Sequence, residues 1–412
     1  MKRRIREGLI ALPQEEHALM TTQFAKAYGF ERRDVTLANW RATPFSRFSF
    51  GHAEEVVPSG MIAARTEVSE GEPVASGLLS LALPQGLAGQ PDVRAYLDYA
   101  HTDAFVLMKA GTIVAEHYAP HAGIDQRHIV FSISKSLTAL VIASLEADGL
   151  MDPDAPVTSL LPEAVGSAYG DCSIRDVLDM RVSLGFDEAY LNTDGAYARY
   201  RRATLWNPTD PSQPDETLLA FLLTLQKDAH PHGGAHFYAS PNSDLLGILI
   251  ERATGERYAD VLSTRLWRPL GAKNHASVTV DAEGTARAAG GISVTARDLA
   301  RVGEMLRNGG MVDGKRIIPE AWLIDMLTAG DHQAWVDGKS NFFPKGRYRS
   351  QWYQSGEPDG AFCAIGIHGQ WLYVDPSTET TIVKLSSQPN PLDDELKHDN
   401  FAFFRALSTW TA

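Results

Sequence analysis

Cysteine is almost missing from this 412-residue chain: Cys172 and Cys363 stand far apart in no CxxC pattern. That spacing excludes a disulfide framework and a cysteine-based metal site, and both residues read as reduced, buried thiols. Positive charge is also short, with 38 basic against 51 acidic residues and a net charge of −13. A chain of that sign, without any basic run, excludes nucleic acid and anionic membranes as main partners. No window of about 18 consecutive apolar residues occurs, which removes a transmembrane helix. Behind Met1-Lys2-Arg3-Arg4 there is neither a continuous apolar stretch nor a small-residue cleavage site, so the expected setting is soluble and cytoplasmic. A Gly-x-Ser-x-Gly pentapeptide is absent as well, and with it the nucleophile elbow of a Ser-His-Asp α/β-hydrolase. Repeats and low-complexity tracts are lacking.

What is present is enough apolar residue, 44%, to bury a large core. Residues 1–75 mix charge with Gly and Pro without sustained periodicity and read as an N-terminal arm packed on the body or on a partner. Residues 104–109 and 113–118 are strand-like runs across Ala110-Gly111-Thr112, and 370–374 and 380–385 form a second pair through Asp375-Pro376-Ser377. Two such distant hairpins predict one mostly antiparallel sheet built from both ends of the chain. Between them the pattern turns helical: 132–148 before Gly149, a capping box at Ser173–Asp176, and further helices over 216–227, 243–253, 258–267 and from Thr295 toward Gly309. The expected fold is α+β, a sheet flanked by helices with an inserted helical domain. The α/β part would comprise 76–150 and 290–412, the helical part 151–289, with the active site between them.

Three segments carry chemistry. Ser132-Ile133-Ser134-Lys135 puts a hydroxyl and an amine three residues apart at a helix start, on one face and within reach of each other. Serine needs a base to attack a carbonyl, and lysine can be that base if burial and nearby positive charge depress its pKa. The helix N-terminus adds backbone donors for an oxyanion, each worth about 3 kcal/mol in the transition state. By itself the spacing also fits an ordinary helix cap with a solvated lysine. The second segment, Tyr238-Ala239-Ser240, feeds a helix; a phenol beside a lysine can relay a proton, and Ser240 can add a hydroxyl. The third, Gly366-Ile367-His368-Gly369-Gln370-Trp371, opens a strand whose edge can approach a substrate, and His368 could polarise or orient it. Trp352, Tyr353 and Trp371 either line a cleft or pack the core. His230, His232 and His236 lie in a Gly/Pro-rich loop without carboxylates at ligand spacing and read as loop histidines, so neither a metal nor a cofactor is expected.

In this order the segments resemble the serine β-lactamase and penicillin-binding-protein superfamily, whose signature is Ser-x-x-Lys, Tyr-x-Asn/Ser and Lys/His-x-Gly. The runs 102–105, 132–136, 177–180, 295–303, 366–370 and 383–387 look like the 6-aminohexanoate-dimer hydrolases, nylon-oligomer-degrading amidases. That resemblance implies Ser132 as nucleophile, Lys135 as base, Tyr238 as acid/base and an acyl-enzyme, with Ser240 and His368 in support. It implies a loop tyrosine closing on the substrate amide, for which Tyr190 in Phe186-Asp187-Glu188-Ala189-Tyr190 is the candidate, and it suggests a homodimer. The third motif departs from the superfamily in ending at Gln370, which leaves the second oxyanion donor between Gln370 and Trp371. The expected substrates are short linear amides and small esters. Alternatives are a carboxylesterase with little amidase activity, a β-lactamase or D-amino-acid peptidase, and a silent binding protein of the same fold.

Overall fold

The computed structural model describes residues 22–65, 77–83, 87–190, 192–339 and 342–410. The expected arm therefore falls partly outside the described residues.

Both expected hairpins form, as Thr102–Lys109 with Thr112–Tyr118 and as Gln370–Asp375 with Thr380–Ser386. They meet edge to edge: Ile382 faces Leu107 and Val383 faces Val106 in antiparallel register. Phe362–Gly366, Trp352–Gln354 and Arg347–Arg349 extend the far side to seven antiparallel strands. Side chains alternate between two cores, as a period of two demands. Phe105, Leu107, Trp371 and Tyr373 pack with Tyr96, Phe403 and Phe404, the last two from the C-terminal helix Asp394–Ser408. Val106, Met108, Leu372 and Val374 face Leu137, Leu299 and Val302 on the other side. Covered on both faces, the central strands read as apolar runs rather than alternating ones. Helix Ala296–Arg307 lies directly on this second face; a Cβ on its Gly303 would fall 2.5 Å from Thr381 and 2.8 Å from Leu372.

A smaller sheet orders Ser59–Ile62, Ala276–Thr279, Ile292–Val294 and His128–Ile129. Ala276–Thr279 lies within the span expected to be helical. Its alternation of Ala276 and Val278 with Ser277 and Thr279 is too short to outweigh the helical signals around it. Two helices differ in extent from the expectation: 216–227 shortens to Leu218–Thr224, and the one expected from 243 starts at Ser240, since Pro241 is well tolerated in a first turn. The segment expected at 258–267 is helical but changes to a π-turn over Ser263–Trp267. Residues 22–65 hold helix Gln23–Tyr28 and several short turns, and Trp40, Phe48 and Phe50 bury against Phe131 and Trp206. Trp40 Nε1 donates to Trp206 O (3.1 Å) and Trp206 Nε1 to Thr279 Oγ1 (3.0 Å). The N-terminal part thus supports the residues immediately before Ser132. Among the described residues no helix is long and apolar enough to cross a membrane. Cys172 and Cys363 are buried and unpaired.

Candidate active site

Ser132 caps helix Ile133–Ala147, one turn beyond the small-sheet strand His128–Ile129. Between strand and helix, Phe131 holds φ +43°, a region that costs a bulky residue energy unless its surroundings fix it. They do: its buried ring packs against Phe50 (4.9 Å), His368 (5.3 Å) and Trp206 (6.0 Å). Ser134 and Ser136 anchor the first turn, Oγ of Ser134 accepting from Ile292 N (3.1 Å) and Oγ of Ser136 donating to Gln351 O (2.7 Å).

Lys135 is buried, at 1% exposure, and Nζ donates to Ser132 Oγ (3.0 Å) and to Ala289 O (2.6 Å). Nζ also lies 5.1 Å from the centre of the Tyr238 ring. Burial, opposed by Glu188 and Asp244 and aided by Arg287, lowers the ammonium pKa to about 8. Beside it lies a buried ion pair: Asp244 accepts from Arg287 and Tyr200 through one oxygen and from Ala289 N (2.7 Å) through the other. Asp244 therefore holds Ala289 by its N–H, and the carbonyl of the same residue holds Lys135.

Tyr238 sits just before helix Ser240–Thr254, its loop fixed by Phe237 N donating to Met180 O (2.7 Å) and His236 N to Ala334 O (2.8 Å). Burial, with Tyr353, Tyr348 and Glu188 adding to it, raises its phenol pKa well above the ordinary value, and a hydrogen bond with Ser132 opposes this rise. At neutral pH the phenol keeps its proton. Ser240 does not face Ser132 through a bond of its own: its Oγ (2.6 Å) and N (2.7 Å) both donate to Glu188. The Tyr190 hydroxyl donates to the same carboxylate (2.7 Å), so Glu188 ties the loop tyrosine to the start of the Tyr238 helix. Sequence reading passed over Glu188, although it lies two residues before Tyr190 in the quoted pentapeptide.

Ser132, Tyr190, Tyr238, Tyr353 and Trp371 line one cleft of about 260 Å³. The aromatic set divides, for Trp352 is fully buried against Phe362 (5.7 Å). The strand edge in the cleft is Ile365-Gly366-Ile367. A Cβ on Gly366 would lie 2.5 Å from Val130 O, so only glycine lets this edge approach the chain leading to Ser132. His368 and Gln370 are not among the lining residues. His368 takes φ +60°, donates Nδ1 to Gln388 O (2.7 Å) and packs its ring on Phe50 and Phe131. Burial lowers its pKa to about 4, leaving a neutral ring that holds the turn from behind instead of reaching the cleft. Gln370 spends its amide on His368 O (3.0 Å), Ser386 O (2.7 Å) and Ser386 N (3.0 Å). Trp371 reaches the cleft with its side chain, but its strand has neighbours on both sides, Ile365 and Lys384, which occupy its backbone. Of the loop histidines, His232 bridges Ser183 N (3.0 Å) and Asp171 (3.0 Å), and His236 is buried with a pKa lowered to about 4.

The β-lactamase family profile matches residues 92–406. A 6-aminohexanoate-dimer hydrolase from Paenarthrobacter ureafaciens is 38% identical over 377 residues, spanning 91% of this chain and 94% of that protein. A solved, provisionally named 6-aminohexanoate-dimer hydrolase from Bacillus anthracis superposes with a TM-score of 0.84 at 25% identity, covering 92% of this chain and 97% of its own. A family VIII carboxylesterase shares the fold, with a TM-score of 0.57 at 17% identity over 76% of this chain and 94% of its own.

Proposed function

The chain belongs to the β-lactamase family and is a hydrolase of that fold, and from that premise we propose that it cleaves short linear amides, of the 6-aminohexanoate-dimer kind, and small carboxylic esters through an acyl-enzyme on Ser132. The observation that carries this reading is the buried Lys135, its Nζ 3.0 Å from Ser132 Oγ and its pKa drawn down to about 8. At that pKa an appreciable fraction is free base at neutral pH, which suits proton abstraction.

In this mechanism neutral Lys135 takes the Ser132 proton as Oγ attacks the carbonyl carbon. The oxyanion is held by the Ser132 N–H and by the N–H of Ile367, which lines the cleft one residue past the end of the ladder. Tyr238, still protonated, gives its proton to the departing nitrogen or oxygen and recovers one from the Lys135 ammonium. Water then attacks the acyl carbonyl, losing a proton to Lys135, which passes it to the departing Ser132 Oγ and so returns to the free base. Tyr190, held by Glu188, assists departure of the amide nitrogen; Ser240 and His368 position the groups around them. The sheet-bearing segments 76–150 and 290–412 supply one wall of the cleft and 151–289 the other, with the described residues 22–65 bracing the body. The same reading carries a cytoplasmic homodimer, which light scattering and fractionation test.

The direct experiment is intact-protein mass spectrometry after a fluorophosphonate, alongside turnover of 6-aminohexanoate linear dimer and p-nitrophenyl butyrate. A single adduct on Ser132 with dimer cleavage is expected. An adduct with ester turnover alone would move the function to carboxylesterase, and no adduct would leave a binding protein. Tyr190→Phe should lower amide turnover more than ester turnover; equal losses would remove its role at the leaving nitrogen.

A further inference from the structure

The cleft that holds Ser132 is also lined by the first turns of the C-terminal helix, including Lys397 and Asn400. Three residues apart, they share one face of that helix. Asn400 is 1% exposed; its Oδ1 accepts from Tyr96 (3.1 Å), while its Nδ2 is buried without a hydrogen-bond partner. A buried amide donor left unpaired is costly, and it marks a place where an acceptor is missing. Lys397 makes no ion pair among the described residues, and its Nζ rests 4.2 Å from the centre of the Phe342 ring. Asp393 and Asp394 line the same cleft without pairing with either donor: Asp393 accepts from Leu396 N (3.0 Å) as the helix cap, and the exposed Asp394 acts on Lys397 only electrostatically, with no ion pair between them. An ammonium and an amide N–H offer donors only, so the complementary ligand is an anion with two acceptor oxygens.

We propose that Lys397 and Asn400 form a carboxylate subsite, which takes the free-acid end of a linear substrate whose scissile carbonyl lies at Ser132. Cleavage at Ser132 rests on the function proposed above; carboxylate binding does not. The test is therefore calorimetric, titrating hexanoate and hexanamide into the whole protein and its variants. Hexanoate should bind at least about tenfold more tightly than hexanamide, the scale of one charge-assisted pair. Lys397→Met should erase that preference. Asn400→Asp, which keeps an acceptor for Tyr96 while adding negative charge, should do the same without loss of fold. Equal affinities for the two ligands, or a preference that survives Lys397→Met, would overturn the subsite. Failure of the wild-type protein to turn over p-nitrophenyl butyrate would count against the hydrolase reading alone, because the titration needs no catalysis.

Discussion

The two segments that meet beside the cleft use opposite parts of their residues. At the Ser132 helix the side chains face the cleft: a hydroxyl and an amine 3.0 Å apart, with the backbone strain at Phe131 behind them. At Gly366–Gln370 the backbone does so, through a glycine with no room for a Cβ, while His368 and Gln370 turn inward to hold the bend. Motif likeness is therefore not one kind of evidence. A motif whose side chains act must keep its atoms; one whose backbone acts must keep its shape, and its side chains are scaffolding. Substitutions should separate the two.

The largest effect belongs to the first segment. Ser132→Ala and Lys135→Ala should each lower kcat/KM by about a thousandfold or more, as loss of a nucleophile or its base does elsewhere. Both proteins should fold, because an alanine at either position creates no clash. A residual rate within tenfold of wild type for either variant would break the comparison at its stronger end. Gly366→Ala should come next. Its methyl would meet Val130 O at 2.5 Å, so the edge must shift away from Ser132. A displacement of an oxyanion donor on the order of 1 Å costs about a hundredfold in rate. Crowding should also cost about 1–3 kcal/mol in urea unfolding. If rate were lost only in proportion to stability, the edge would be packing and nothing more.

What could be read in advance follows the same division. Ser-x-x-Lys is a local spacing, and helix geometry turns it into contact without help from distant chain. The hairpins were legible because a turn residue sat between apolar runs, though their pairing edge to edge was an inference from their distance in sequence. Glu188, Asp244, Arg287 and Asn400 were not legible: each matters through a partner 40 or more residues away, such as Ser240 for Glu188 and Tyr96 for Asn400. That His368 and Gln370 turn away from the cleft was not legible, because a motif gives residue types and not the direction each side chain takes. The backbone φ of +60° at His368 directs its ring inward, and no local pattern announces it.

Acidity probes the segment whose side chains act. If Lys135 acts as a free base with a pKa of about 8, kcat/KM should rise about tenfold per pH unit below that value and level off above it. Tyr238, raised well above its ordinary value by burial, should add no second limb at neutral pH. A flat profile from pH 6 to 9 would remove lysine as the base. The profile of a Glu188→Gln variant sharpens this, because Glu188 favours the charged lysine and its loss should move the midpoint down.

The smallest effect on rate, and the clearest mark of scaffolding, is expected at His368. Its folded-state pKa of about 4 lies below the ordinary value of 6.5, so the unfolded chain binds the extra proton first. Its contribution is fully present above pH 6.5 and is lost as pH falls from there toward 4. His236 adds a parallel loss in the same window, again because burial disfavours the charged ring. His368→Asn suits the left-handed backbone better than most residues do and cannot titrate. That variant should keep kcat/KM close to wild type and flatten part of the fall in urea stability between pH 6.5 and 5. A large loss of rate with unchanged stability would show that the ring reaches the substrate after all, and would return the third motif to the class whose side chains act.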